Sequence, residues 1–270
     1  MAISLNEGVR ANLLSLQQTS SLISTTQKRL SSGLKVNSPI DDASAYFAAA
    51  NARGRANDLS ARKNEIGEAI QTIKAASDGI EAISALIDTA KGLAESARSS
   101  TTAGRSTLAA QFNEVLKQID QTANDSKYKG TNLLASGGNL AVKTNEDGTS
   151  KISINGFDAS STVGLSVSAI AVNTWTVDTA LDAAVSQLTA AQLTLRTSAS
   201  TLGAVSSQLT IRDSFLDELK NVLREGADKL TVADQNEEGA NLLSLQTRQQ
   251  LGVISLSLAN QSQQAILRLF

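Results

Sequence analysis

The residue types that most often carry out chemistry in proteins are either missing from this chain or unsuitably placed. Its 270 residues include no cysteine and no histidine. This excludes disulfides, thiolate metal sites, cysteine nucleophiles and the usual general base near neutral pH. Carboxylates remain as candidates for acid–base work. Glu237 and Glu238 are adjacent, so on a helix their side chains diverge rather than share a site, and we interpret them as a solvated surface.

Glycine spacing gives no cofactor site either. Gly137-Gly138 lacks the lysine and the helix start that a phosphate-binding loop requires. Asn124-Asp125-Ser126 and Asn260-Gln261-Ser262 match the N-glycosylation pattern, which often arises by chance. We therefore predict no catalytic, cofactor-binding or metal residue, and a protein that is not an enzyme.

Composition narrows the range of partners. The formal net charge is −2 and no basic run is interleaved with aromatic residues, so nucleic acid is not an expected partner. No apolar stretch approaches the ~20 residues that span a bilayer, so no membrane partner is expected. The N-terminal sequence lacks the features of a cleaved secretory signal. The chain is therefore expected either in the cytoplasm or on an export route that reads an uncleaved terminus.

The elements that must position the side chains are long helices. Between residues 181 and 230 a leucine stands at every seventh position, which is the period of a coiled-coil seam. A helix of this length cannot bury its own apolar stripe, so it requires a partner. The leucines are Leu181, Leu188, Leu195, Leu202, Leu209, Leu216, Leu223 and Leu230.

An upstream segment has the same period and is the expected partner. Its first seam positions are Leu59, Ile66, Ile73, Ile80, Ile87 and Ala94. Three residues further on stand Arg62, Ala69, Ala76, Ile83, Ala90 and Ala97, mostly small enough for close helix approach. We predict an antiparallel rod whose core contains Ile66, Ile73, Ile80, Ile87, Leu188, Leu195, Leu202, Leu209 and Leu216.

Apolar rows also occupy both ends of the chain. The N-terminal row runs with spacings of four and three and is interrupted by Ser20 and Gln27; its apolar members are Val9, Leu13, Leu16, Ile23 and Leu30. In the last segment Leu251, Leu258 and Ala265 keep the phase of the leucine heptad. That segment is apolar on more than one side, which predicts more than one neighbour.

Turn residues predict the joints. Gly33 is expected to end the first helix. Ser38 is expected to cap the next helix, with Pro39 in its first turn and Asp41 closing the capping box. The alternative is that these residues form an ordinary loop with one proline. Residues 140–144 and 151–154 flank Asp147-Gly148, which predicts a β-hairpin, and residues 164–167 are expected to form a further strand.

The predicted fold is mainly α, a long antiparallel coiled-coil rod with a small β-hairpin region and paired terminal helices. Residues 1–42 would hold the N-terminal helix of an inner domain. Residues 43–227 would form the rod, with the hairpin at about 135–170. Residues 228–270 would hold the C-terminal helix of the inner domain.

Several sequence blocks resemble those of bacterial flagellins. Residues 29–43, RLSSGLKVNSPIDDA, resemble the signature near the family's N-terminus, although Pro39 replaces the usual alanine. Residues 202–205, LGAV, following Arg196, resemble a block near the other end. Residues 258–261 and 266–270 resemble the family's C-terminus. The family's "DaDfA"-like run is replaced by VADQNEEGA at 232–240. The resemblance covers about residues 1–135 and 178–270.

The resemblance implies a short flagellin with little or no variable outer domain, which self-assembles through its terminal helices into the bacterial flagellar filament. It implies export as an unfolded, uncleaved subunit. The implied partners are other copies of the chain, the flagellar type III export apparatus, and the filament cap and hook-junction proteins. The expected assembly interface consists of Val9, Leu13, Leu16, Ile23, Leu30, Leu251, Ile254, Leu258, Ala265 and Leu269.

The resemblance also bears on immune recognition and on alternative functions. Thr89 and Gln111 align with the Arg and Glu of flagellins that the vertebrate innate receptor senses, whereas Leu93 is retained, so weak receptor activation is expected. A hook–filament junction protein of the same superfamily and a generic coiled-coil scaffold are the alternative interpretations. The zinc peptidase that some flagellins carry requires histidines, which this chain lacks.

Overall fold

The computed structural model describes residues 7–171 and 175–267 of the chain. These residues form five helices: α1 (Glu7–Ser32), α2 (Ala43–Arg98), α3 (Thr102–Asp125), α4 (Asp178–Thr231) and α5 (Gln235–Leu267). The predicted mainly α fold is therefore confirmed. α4 continues through Gly226, because one interior glycine costs a helix only about 1 kcal/mol.

Two small antiparallel hairpins follow α3 in sequence. The predicted Asp-Gly hairpin is the second of them, and Gly148 takes φ +68° in its loop. That left-handed conformation costs glycine little, which explains the turn signal in the sequence. The strands are β1 (Lys127–Tyr128) paired with β2 (Thr131–Asn132), and β3 (Asn139–Lys143) paired with β4 (Lys151–Asn155).

The strand predicted at residues 164–167 does not form. The backbone N–H of Leu165 donates to the carbonyl oxygen of Ser160 at 2.9 Å, within the same loop. Ser166 has φ +55°, which is incompatible with an extended strand. The alternation of residue types in this stretch therefore reflects a folded-back loop.

The chain divides into two compact units, which we call the terminal unit and the rod unit. The terminal unit comprises Met1–Arg55 with Asn221–Phe270, and the rod unit comprises Ala56–Lys220. The divisions fall inside α2 and α4, where the helices continue without a break. The first domain limit predicted from the sequence, between residues 42 and 43, falls at the start of α2, whereas the second, between residues 227 and 228, lies inside the last turns of α4. Both remain predictions.

The core of the rod unit is the seam between α2 and α4. Gln192 Nε2 donates to Asp88 Oδ1 at 2.6 Å, and Lys63 Nζ lies 2.9 Å from Asp217 Oδ1. Partner numbers fall on one helix as they rise on the other, so the helices are antiparallel. The nine residues predicted for this core are at most 5% exposed: Ile66, Ile73, Ile80, Ile87, Leu188, Leu195, Leu202, Leu209 and Leu216.

The leucine heptad leaves the buried face near the end of α4. Leu216 is 2% exposed, whereas Leu230 is 38% exposed and Ala227 and Thr231 are buried. A straight helix has 3.6 residues per turn, so a seven-residue repeat drifts around it unless the helix supercoils. The sequence prediction of a continuous seam to Leu230 is therefore wrong for its last turns.

Gly79 is a position where α2 cannot accept a side chain. A Cβ added there would lie 2.7 Å from Ser126 Cβ and 2.8 Å from Leu134 Cδ1. We predict that Gly79→Ala destabilises the rod unit by about 1–3 kcal/mol through overpacking, although alanine has the higher helix propensity. Fluorescence of Trp175, the only tryptophan and 1% exposed, will report urea unfolding.

The matched control is Gly92→Ala in the same helix. A Cβ at Gly92 would meet nothing within 4 Å, so this change will stabilise the unit by about 0.5–1 kcal/mol through helix propensity. Equal effects of the two changes would contradict the close packing at Gly79.

An ion-pair cluster joins α2 and α4 at Asp217. Hydrogen bonds from Lys220 and then Lys63 lower the pKa of Asp217 from 3.8 to about 2. Because the folded-state pKa lies below the unfolded value, the carboxylate stabilises the fold above about pH 4. That contribution is lost as the pH falls towards 2. We predict that Asp217→Asn lowers the melting temperature at pH 6 but has little effect near pH 2. An equal loss at both pH values would contradict this assignment.

In the terminal unit, backbone hydrogen bonds connect the end of α1 to the end of α4. Gly33 ends α1 as predicted, with φ +73°, and its N–H donates to the Arg29 carbonyl at 2.8 Å. The N–H of Lys35 donates to the Thr231 carbonyl at 2.8 Å, and that of Ala233 donates to the Gly33 carbonyl at 2.9 Å. The two helix breaks are therefore held together as one joint.

The predicted helix start at Ser38 is wrong. The Asp41 carboxylate accepts hydrogen bonds from the backbone N–H of Asn37, and from the hydroxyl and backbone N–H of Ser38. These bonds lower the pKa of Asp41 and close a turn before the helix. Asp42 caps α2 instead, accepting from the N–H of Ala45 at 2.9 Å.

Candidate assembly interface

α1 and α5 form an antiparallel pair in the terminal unit. Near one end, Arg29 Nη1 lies 3.1 Å from Glu238 Oε1. Further along the pair, a Cβ added at Gly252 would lie 2.7 Å from Leu16 Cδ2. The absence of a side chain at Gly252 therefore lets the two helices approach closely at Leu16.

The buried row of α1 differs from the predicted row at two positions. Thr19 and Thr26 are buried, whereas Ser20 and Gln27, which the spacing placed in the row, are exposed. The Thr19 hydroxyl donates to the Ser15 carbonyl at 2.8 Å, so burial leaves it with a partner. Two threonines therefore stand at buried positions of α1.

The predicted interface residues of α1 differ in their exposure. Val9 is buried, and Leu13 is 41% exposed. The remaining three, Leu16, Ile23 and Leu30, are half-buried. Leu14 and Leu22, which the sequence analysis did not select, are 57% and 50% exposed.

The predicted interface residues of α5 whose side chains are described are Leu251, Ile254 and Leu258, and they lie on its exposed face, which we call the outer row. It consists of Leu243, Leu251, Ile254 and Leu258, each at least 60% exposed. Ile254 stands two residues after Gly252, a rotation of about 200° around a helix. Ile254 is therefore on the opposite side of α5 from α1, and Leu251 and Leu258 lie about 100–120° around the helix from Gly252. The less exposed positions are Leu242, Leu245, Gln249, Gly252, Leu256 and Ala259. Leu269 and the side chain of Ala265 lie outside the described residues.

The adjacent carboxylates at the start of α5 differ in environment. Glu237 is exposed, as predicted. Glu238 is only 8% exposed and pairs with Arg29, so its assignment to a solvated surface is wrong. The Asp234 carboxylate caps α5 by accepting from the N–H of Asn236 at 2.9 Å. Glu238 thus joins α5 to α1.

Two carboxylates of the rod unit also take part in ion pairs. In the rod unit, Glu65 pairs with Arg62, and Glu68 Oε1 lies 2.6 Å from Lys129 Nζ. Within residues 7–171 and 175–267, no group of three or more acidic side chains is arranged to hold a metal ion.

None of the described helices is long and apolar enough to cross a membrane.

The positions predicted to weaken receptor recognition are accessible. Thr89 on α2 and Gln111 on α3 are exposed, and Leu93 is half-buried. The Thr89 hydroxyl donates to the Ala85 carbonyl at 3.0 Å, so it already has a partner within its own helix.

Long helices, a packed rod and an uncovered apolar row define a structural helical protein. The model of the bacterial flagellin N-terminal helical region matches residues 3–139, and that of the bacterial flagellin C-terminal helical region matches residues 179–270. The chain belongs to the bacterial flagellin family. It is a structural subunit of the flagellar filament. Flagellins self-assemble into such filaments.

Individual relatives match over nearly their whole length. Flagellin FljO of Caulobacter vibrioides is 32% identical over 100% of this chain and 98% of its own. A flagellin of Brucella melitensis is 31% identical over 98% of this chain and 97% of its own. Among solved structures, the crystal structure of Bacillus cereus flagellin is 13% identical. It has a TM-score of 0.48 and covers 58% of this chain and 88% of that chain.

Proposed function

We propose that the outer row of α5 forms the contacts between subunits in the filament. The observation that carries the proposal is that α5 is apolar on two sides, of which one remains exposed in the part of the chain that the structure describes. Leu251, Ile254 and Leu258 are 60%, 63% and 67% exposed. Covering each such side chain contributes roughly 1.5–3 kcal/mol, and a neighbouring subunit supplies that cover.

The proposal gives the residues of α1 different roles. Leu13, with Leu14 and Leu22, offers apolar surface to neighbouring copies. Val9 is already buried, so it contributes by holding α1 on α5. Leu16, Ile23 and Leu30 are shared between the helix pair and the subunit contact. Ala265 and Leu269 extend the same interface in the proposal.

Family membership supports the remaining partners. We propose that the subunit is secreted through the flagellar type III export apparatus without cleavage and joins the filament beneath the cap protein. Junction proteins of the hook would contact the first subunits. The residues at positions 89 and 111 lack the charges of receptor-sensed flagellins, so weak activation of the innate receptor is part of the same proposal.

Electron microscopy of the purified chain tests the proposal. The subunit will form long tubes when concentrated with a salt such as ammonium sulfate, which strengthens apolar burial. If no long tubes formed in any of the salts tested, the result would instead indicate a junction protein. A tube structure in which the outer row of α5 faces solvent would overturn the interface while leaving the family assignment intact.

A further inference from the structure

The α2–α4 seam contains two arginines where its other members are small or apolar. On α2 the seam positions equivalent to Arg62 are alanine or isoleucine and at most 1% exposed. The Arg62 side chain is 23% exposed. On α4, Arg212 occupies the position equivalent to Ala184 and Ala191, which are 3% and 0% exposed, and to Ser198 and Val205, which are half-buried. Both arginines therefore interrupt apolar packing.

The antiparallel pairing places these interruptions in one short section. Lys63 meets Asp217 and Lys91 meets Thr189, so partner numbers add up to 280 along the seam. On that register Arg62 is level with residue 218 and Arg212 with residue 68. The two levels are six residues apart, about 9 Å along the axis.

The two arginines are incompletely satisfied. The Nε atoms of both are buried and have no hydrogen-bond partner. Arg62 pairs through Nη1 with Glu65 on its own helix. The Arg212 guanidinium carbon lies 5.2 Å from the ring centre of Phe215, also on its own helix. A buried N–H without a partner costs about 1–3 kcal/mol. This section is therefore weaker than the leucine and isoleucine seam formed by residues 73–94 and 184–202.

Charges compensate in part for the lost apolar contact. Lys63 spans the seam to Asp213 and Asp217, at 3.7 and 2.9 Å. The three side chains are 34%, 30% and 41% exposed. Ion pairs of this exposure are weak and are screened by salt. The section is therefore joined partly by contacts that depend on ionic strength, in addition to the apolar contacts of Ile66, Leu209 and Leu216.

We propose that residues 59–69 and 209–220 form a salt-sensitive section of the rod that opens locally while the rest of the α2–α4 seam stays closed. Such a section lets the two helices separate or shift at one place without unpacking the core. Such an opening is a property of the folded subunit itself and does not depend on how copies assemble.

Amide hydrogen exchange on the full-length monomer tests this at 20 and 500 mM sodium chloride. Amides of residues 59–69 and 209–220 will exchange at least about tenfold faster than those of residues 73–94 and 184–202. Higher salt will accelerate exchange in the first set by about threefold and leave the second unchanged. Equal protection in both sets, or no salt response, would overturn the proposal.

Two variants test whether the arginines themselves, and not only the position of this section in the rod, cause the faster exchange. Arg62→Leu and Arg212→Leu restore an apolar seam residue, and each will slow local exchange by about tenfold and reduce the salt response. Arg196→Leu, at an exposed position of α4, will leave both unchanged. Faster exchange in either seam variant, or no change, would show that the arginines do not create the opening.

Discussion

Replacing Leu258 by aspartate will abolish filament formation while the rod unit stays folded. Leu258 is 67% exposed in the outer row, so the change alters little within the chain. In the filament it removes a contact worth roughly 1.5–3 kcal/mol and introduces a charge that must be desolvated. The critical concentration for polymerisation will rise by about 100-fold or more. Sedimentation of polymer and electron microscopy measure the loss.

The matched control introduces the same charge elsewhere on α5. Asn260 is exposed and stands two residues further on, about 200° around the helix from Leu258. Asn260→Asp keeps the shape of the side chain and will polymerise nearly as well as the parent chain. Circular dichroism and Trp175 fluorescence will show that the rod unit is intact in both variants. Normal filaments from Leu258→Asp would refute the assignment of this face.

The second large effect is expected in the rod. Leu188 is 0% exposed in the seam, and Leu188→Ala will destabilise the rod unit by about 3 kcal/mol, through lost burial and the cavity left behind. For a unit of this size that corresponds to a fall of about 6–12 °C in melting temperature. Thermal unfolding followed by Trp175 fluorescence measures it.

Leu193→Ala provides the comparison on the same helix. Leu193 is 66% exposed, so its truncation will change the free energy of unfolding by no more than about 0.5 kcal/mol. If the two leucines gave similar losses, the seam would not be the core of the rod unit.

The rod could be predicted because its signal is local and repeated. The seven-residue spacing specifies one face of each helix, and residues such as Ile66, Ile87 and Leu209 are buried in the structure. The hairpin turn was readable for a similar reason, since Asp147-Gly148 has a strong preference of its own. The end of the heptad at Leu230 was not readable, because drift around a helix depends on whether a partner keeps it supercoiled.

The packing of α1 on α5 could not be predicted in detail from the spacing of residues along each helix. Spacing selected Ser20 and Gln27, but Thr19 and Thr26 are buried, since the choice between adjacent rows depends on the partner helix. Glu238 is buried because Arg29, 209 residues away in sequence, lies beside it. Position 79 requires glycine because the fold brings Ser126 and Leu134 against it.

The sequence by itself determined the class of fold, the helices and their apolar stripes, and through its terminal blocks the resemblance to flagellins. These properties follow from residue type and spacing along a helix. Only the tertiary structure decided which stripe is covered within the chain and which remains open, with Gly252 set against α1 and Leu258 left exposed. The physical reason is that periodicity fixes the angle between side chains on one helix, whereas burial depends on where a second helix lies.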